Sequence, residues 1–153
     1  MTQEYTLNTL KDTEHYAVLL TKKLPTKGVI TFSGKMGSGK TTFISFLITE
    51  LYKKHNLTPP IVTSPTFSIV NEYNIHTQNT DLLIAHFDLF RINAPDELLN
   101  IGFDDYQDDA LCLIEWPENA ASYLQEPLLK CNFMQHNDIR YLTLPPNADY
   151  TLI

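Results

Sequence analysis

Gly34-Lys35-Met36-Gly37-Ser38-Gly39-Lys40-Thr41 is the stretch whose residue types and spacing point most directly to chemistry. It fits G-x-x-x-x-G-K-[ST] and lies between a β-branched apolar run, Val29-Ile30-Thr31-Phe32, and a helical pattern. The glycines let the backbone curl so that successive N–H groups face phosphate oxygens, and a helix starting near Lys40 adds its positive end. Lys40 supplies a mobile cation for the β- and γ-phosphates, the Thr41 hydroxyl an oxygen for Mg²⁺, and Thr42 a reach to the α-phosphate. The set expected to bind is Gly34, Gly37, Ser38, Gly39, Lys40, Thr41 and Thr42.

Phosphoryl chemistry also needs acidic groups to serve the metal and position water. Asp88 closes the apolar run Leu82–Phe87, and Glu115 closes Leu111–Ile114. Carboxyl ends of parallel strands line the ligand crevice, the edge from which a phosphate loop emerges. Glu115 is assigned to Mg²⁺, directly or through water, and Asp88 to the attacking water or the hydration shell; the two roles are exchangeable at this point. Ser64 and Thr66, flanking Pro65, are placed to sense the γ-phosphate or to make an ordinary turn. Trp116 reads as a packing residue or as a lid or partner contact. Arg91 is expected in a surface or interface salt bridge, His86 in the core or behind the site, and Cys112 in the core.

The elements that must hold these residues alternate between strand and helix. Asp12 or Thr13 is expected to cap a helix running to about Leu24, followed by the strand Val29–Phe32 and a helix through Tyr52. Brief strands are expected at Ile61–Thr63 and Ile69–Ile75, then the strands ending at Asp88 and Glu115. Short helices are expected at Asp96–Asn100 and from Pro117 to Leu124. Leu128–Phe133 and Ile139–Leu144 form an expected hairpin turning at Gln135–Asp138. This pattern predicts a P-loop NTPase-like three-layer α/β fold with a mixed, partly parallel sheet, in one domain spanning residues 1–153.

The chain has 11 basic and 18 acidic residues, a formal charge of -7, which disfavours direct gripping of nucleic acid. Its 43% hydrophobic and 19% charged content fits a folded globule. Two cysteines make no disulfide framework, the first five residues carry no signal region, and no apolar run approaches the roughly 20 residues of a membrane helix. A soluble, cytoplasmic protein is expected. Neither Thr21-Lys22 nor Thr26-Lys27 continues into the [NT]-K-x-D segment that reads guanine, so GTP is disfavoured. A small-molecule kinase normally gathers several cations in a lid; with only Arg91 and Arg140, and neither clearly placed to act in cis, that reading narrows to a kinase with a neutral acceptor.

Four blocks in order resemble the TsaE (YjeE) family: Gly34–Phe43, Ser64-Pro65-Thr66-Phe67, His86-Phe87-Asp88-Leu89-Phe90-Arg91 and Leu113-Ile114-Glu115-Trp116-Pro117-Glu118. With Asp96-Glu97-Leu98 and Ile101-Gly102 the resemblance covers roughly Gly28 to Glu118. It implies an ATP-binding and ATP-hydrolysing subunit of bacterial tRNA threonylcarbamoyladenosine biosynthesis; with no arginine clearly placed in cis, its Mg²⁺-dependent hydrolysis is expected to be weak alone. Such a subunit acts on the TsaD–TsaB proteins and meets tRNA only indirectly. The resemblance puts the metal glutamate at Glu115, the second acidic residue at Asp88 and the nucleotide-sensing loop at Ser64–Phe67. Lys35, Met36 and Phe90 depart from the family's usual acidic residue, Leu and Tyr.

Overall fold

Alternation of buried side chains sets the architecture. In β2 (Gly28–Ser33), Ile30 and Phe32 point to one apolar cluster and Val29 to another; in β5 (Leu111–Glu115), Leu111 and Leu113 oppose Cys112 and Ile114. Strands buried on both faces belong inside a covered parallel sheet. The computed structural model, which describes residues 1–152, shows that sheet with seven strands. The others are β1 (Gln3–Leu7), β3 (Val70–His76), β4 (Asp81–Asp88), β6 (Leu129–His136) and β7 (Ile139–Leu144), in the order β1-β7-β6-β2-β5-β4-β3. The central neighbours β6, β2, β5 and β4 are parallel, and the flanking pairs are antiparallel.

Helices α1 (Leu10–Thr21) and α2 (Lys40–Lys54) pack Ala17, Leu20, Phe43, Ile44, Leu47 and Ile48 against one face. The 3₁₀ segments Pro95–Ile101 and Pro117–Tyr123, with α3 (Phe103–Asp109), cover the other through Leu98, Phe103 and Ala120. These are the three layers of a P-loop NTPase-like fold.

Several expectations need correction. The N-cap of α1 is Thr9, not Asp12 or Thr13: its hydroxyl accepts from the Asp12 N–H at 3.2 Å while the Asp12 carboxylate accepts from the Thr9 N–H at 2.8 Å. The helix ends at Thr21 rather than Leu24. Ile61–Thr63 is irregular chain and not a strand; Pro59-Pro60 withhold donors, and Ile61 is 91% exposed. Pro117–Tyr123 is a 3₁₀ segment broken at Ala121. β1 and α3 were not expected, since Gln3–Leu7 is polar and edge-bound and Phe103–Asp109 mostly acidic. The terminal hairpin forms, but its turn is shorter than the expected Gln135–Asp138: Gln135 and His136 pair within the sheet, and Asn137 and Asp138, both left-handed (φ 49° and 63°), make a two-residue turn. Among the described residues no helix is long and apolar enough to cross a membrane.

Candidate functional site

The stretch Gly34–Gly39 leaves the end of β2 and enters α2, whose N-cap, Gly39, has φ 103°. Gly34 is forced by space: a Cβ there would stand 2.5 Å from the Phe133 carbonyl oxygen and 2.8 Å from Ser38 Oγ. The loop therefore packs against β6 at Gly34 and borders a cavity of about 610 Å³. Gly37, Gly39, Lys40, Thr41 and Thr42 line that cavity, together with Ser64, Thr66, Asp88, Glu115 and Trp116. The structure brings these expected residues into one place. Gly34 and Ser38 sit behind them, with the Ser38 side chain buried beneath the loop.

Lys40 is only 5% exposed. Its ammonium donates to the carbonyls of Gly34 at 2.6 Å and Lys35 at 2.9 Å, and lies 4.6 Å from the centre of the Trp116 ring. Desolvation pushes its pKa below the ordinary lysine range, opposed by the carboxylates of Glu115, Asp88 and Glu118. The lysine thus ties the loop to itself.

Glu115 ends β5 directly beside Asp88 at the end of β4. Its Oε1 accepts the Thr41 hydroxyl at 2.7 Å. A hydroxyl and a carboxylate oxygen form the sparse, hard donor set that Mg²⁺ takes when phosphates and water complete its octahedron, so these residues fit that ion. Asp88 is held differently. Its carboxylate accepts the Phe90 N–H at 3.0 Å and the Ser64 hydroxyl at 3.3 Å, and Ser64 in turn pairs with the Thr66 hydroxyl at 2.9 Å. The loop that carries Ser64 and Thr66 is therefore hydrogen-bonded to the second carboxylate. Ile69, at φ 68°, closes that loop: its N–H donates to Pro65 O at 2.8 Å and its carbonyl accepts the Asp88 N–H at 2.9 Å. A left-handed β-branched residue is strained and must be held by its surroundings. Trp116, at φ 57°, is likewise turned back over Lys40, with its ring 5.0 Å from that of Phe90. It lines the cavity while packing on Phe90.

Two residues depart from expectation. Arg91 forms no salt bridge among the described residues; its guanidinium lies 4.5 Å over the ring of Phe67, which is 85% exposed. Arg140, given no clear place in cis by the sequence, lines the cavity and donates from Nη2 to Gly37 O at 3.4 Å. It lies on β7 opposite Leu7 of β1, and Leu7, Leu10 and Thr13 form the adjoining wall. Only a correct register for the last hairpin and the unrecognised first strand locates this arginine.

A glycine loop between a central parallel strand and a helix, with carboxylates closing the neighbouring strands, defines the P-loop NTPase-like class. Within that class the comparisons are specific. Residues 7–142 match the family described as threonylcarbamoyl adenosine biosynthesis protein TsaE. The chain is 32% identical over 128 residues to the tRNA threonylcarbamoyladenosine biosynthesis protein TsaE of Rickettsia typhi, covering 84% of this chain and 83% of that one. Against the protein of the same name from Haemophilus influenzae the identity is 34% over 131 residues, covering 84% and 77%. The crystal structure of Bacillus subtilis YdiB is similar with a TM-score of 0.71 at 25% identity, over 94% of this chain and 84% of that one. The chain belongs to the TsaE family, whose members serve tRNA threonylcarbamoyladenosine biosynthesis. The family match runs past Glu118 into β7, further than the sequence blocks alone reach.

Proposed function

We propose that this chain binds ATP with Mg²⁺ at the Gly34–Thr42 loop and hydrolyses it in support of tRNA N6-threonylcarbamoyladenosine formation, acting on the TsaD–TsaB proteins. The observation that carries the reading is the Thr41–Glu115 hydrogen bond beside the buried Lys40 ammonium at the head of α2. In this reading Lys40 exchanges two loop carbonyls for phosphate oxygens, and Thr41 and Glu115 hold the cation. Magnesium would supply charge neutralisation on the transferred phosphoryl group. Asp88 orients water, while Ser64 and Thr66 report the nucleotide state to the surface through their link to that carboxylate. Arg140 adds a cation over the loop within the chain itself.

Dependence on partners then rests on the sensing loop rather than on a missing arginine. Ile61 and Phe67 present exposed apolar side chains on the segment that carries Ser64 and Thr66, and a protein covering them would press the loop toward the phosphates. Partners also reconcile the net charge of -7 with a tRNA pathway, because tRNA is met through the complex. Phosphate release, measured with and without TsaD and TsaB, tests the proposal: release is expected to be slow for the chain alone and raised about tenfold or more by the pair, in line with completed phosphoryl-transfer sites. Fast turnover by the chain alone, unchanged by those proteins, would contradict it.

A further inference from the structure

His86 is fully buried, and neither of its ring nitrogens has a hydrogen-bond partner. It stands two residues before Asp88 on β4 and faces α2, as do Ile84 on its own strand and Leu113, its register partner on β5. An aliphatic side chain there would continue the apolar layer without burying a polar ring. Glu115 stands beside it: His86 Nε2 lies 3.6 Å from Oε1. Glu115 is itself 1% exposed, and Oε1 already accepts the Thr41 hydroxyl. The gap exceeds a hydrogen bond by a few tenths of an ångström, and closing it satisfies a buried donor and a buried carboxylate together.

We propose that His86, with a proton on Nε2, is a positioning residue that clamps Glu115 Oε1 from behind. Thr41 and His86 then converge on one oxygen and leave Oε2, which takes no hydrogen bond from the described residues, as the oxygen offered to the cavity. This deepens the reading of Glu115 as the carboxylate on the magnesium side and rests on it. His86 touches no phosphate; it fixes the plane of the group that meets the cation, the usual service of residues behind a metal ligand.

The test uses the fluorescence of Trp116, the only tryptophan, in titrations of the full chain with ATP in EDTA and in Mg²⁺. His86→Gln keeps an N–H near the position of Nε2, and His86→Met fills similar space without a donor. In EDTA all three proteins are expected to bind within about twofold of one another, because the phosphate loop does not involve residue 86. Magnesium should tighten binding to the wild type and to His86→Gln, with about a tenfold smaller gain for His86→Met, the scale of one lost hydrogen bond to a charged group. An undiminished gain in His86→Met, or an equal loss in His86→Gln, would overturn the clamp. Absence of any saturable ATP response in the wild type would overturn the nucleotide reading and the clamp with it. If either variant fails to fold, long-range ¹H–¹⁵N spectra of the wild type decide: a proton on Nε2 supports the proposal and one on Nδ1 rejects it.

Discussion

Lys40, Glu115 and Asp88 occupy one cavity but are held by different partners, and their substitutions should separate accordingly. Lys40→Ala removes a charged donor from the phosphates and should weaken ATP binding about 10- to 100-fold, measured by calorimetry. It also frees the carbonyls of Gly34 and Lys35, so the ligand-free chain should lose about 1 kcal/mol in urea unfolding. Glu115→Gln should raise the magnesium concentration needed for half-maximal activity more than Asp88→Asn does, since only Glu115 is bonded to Thr41; the opposite order in a metal titration would exchange their roles. Arg140→Ala should weaken nucleotide binding about tenfold without altering that magnesium requirement. At this scale the loop and both carboxylates were legible, because local motif and strand-end position suffice to find them. Arg140 was not, because its place depends on a strand register spanning the two ends of the chain.

At the scale of elements, the sequence disclosed what is apolar and periodic and concealed what is polar. β2, β4 and β5 are runs of buried side chains, and the hairpin of β6 and β7 announces its turn with Asn137-Asp138. β1 alternates like a solvated tail, yet it borders β7 and delivers the chain to the Thr9 cap of α1. Thr9→Ala removes one half of the reciprocal cap and should cost about 1 kcal/mol, or a melting temperature lower by about 2–4 °C by calorimetric scan. The loop from Ser64 to Ile69 illustrates a different limit. Its strained residue and its tie to Asp88 come from packing at the end of β4, which no local propensity encodes.

Over the whole molecule, the sheet carries four parallel strands at its centre and buries both cysteines, Cys131 toward α1 and α2 and Cys112 toward α3. Burial pushes the Cys112 thiol from an ordinary 9.0 up to about 12, and Cys131 upward as well. Both therefore keep their protons in the fold at a pH where the unfolded chain would release them. Stability from this source is complete below about pH 9 and falls as the pH rises toward 12. The urea midpoint should accordingly drop on passing from neutral to strongly alkaline buffer, and Cys112→Ala should flatten part of that slope. A midpoint unchanged across the range would contradict the buried placement of the thiols.

The central claim is that the glycine loop and Lys40 enclose a nucleotide triphosphate beside magnesium. Isothermal titration of the wild type and of Lys40→Ala with ATP and Mg²⁺ tests it most directly. The account predicts saturable one-site heat in the wild type and its near disappearance in the variant. No heat from a well-folded wild type at millimolar ATP, or equal binding by the two proteins, would contradict it.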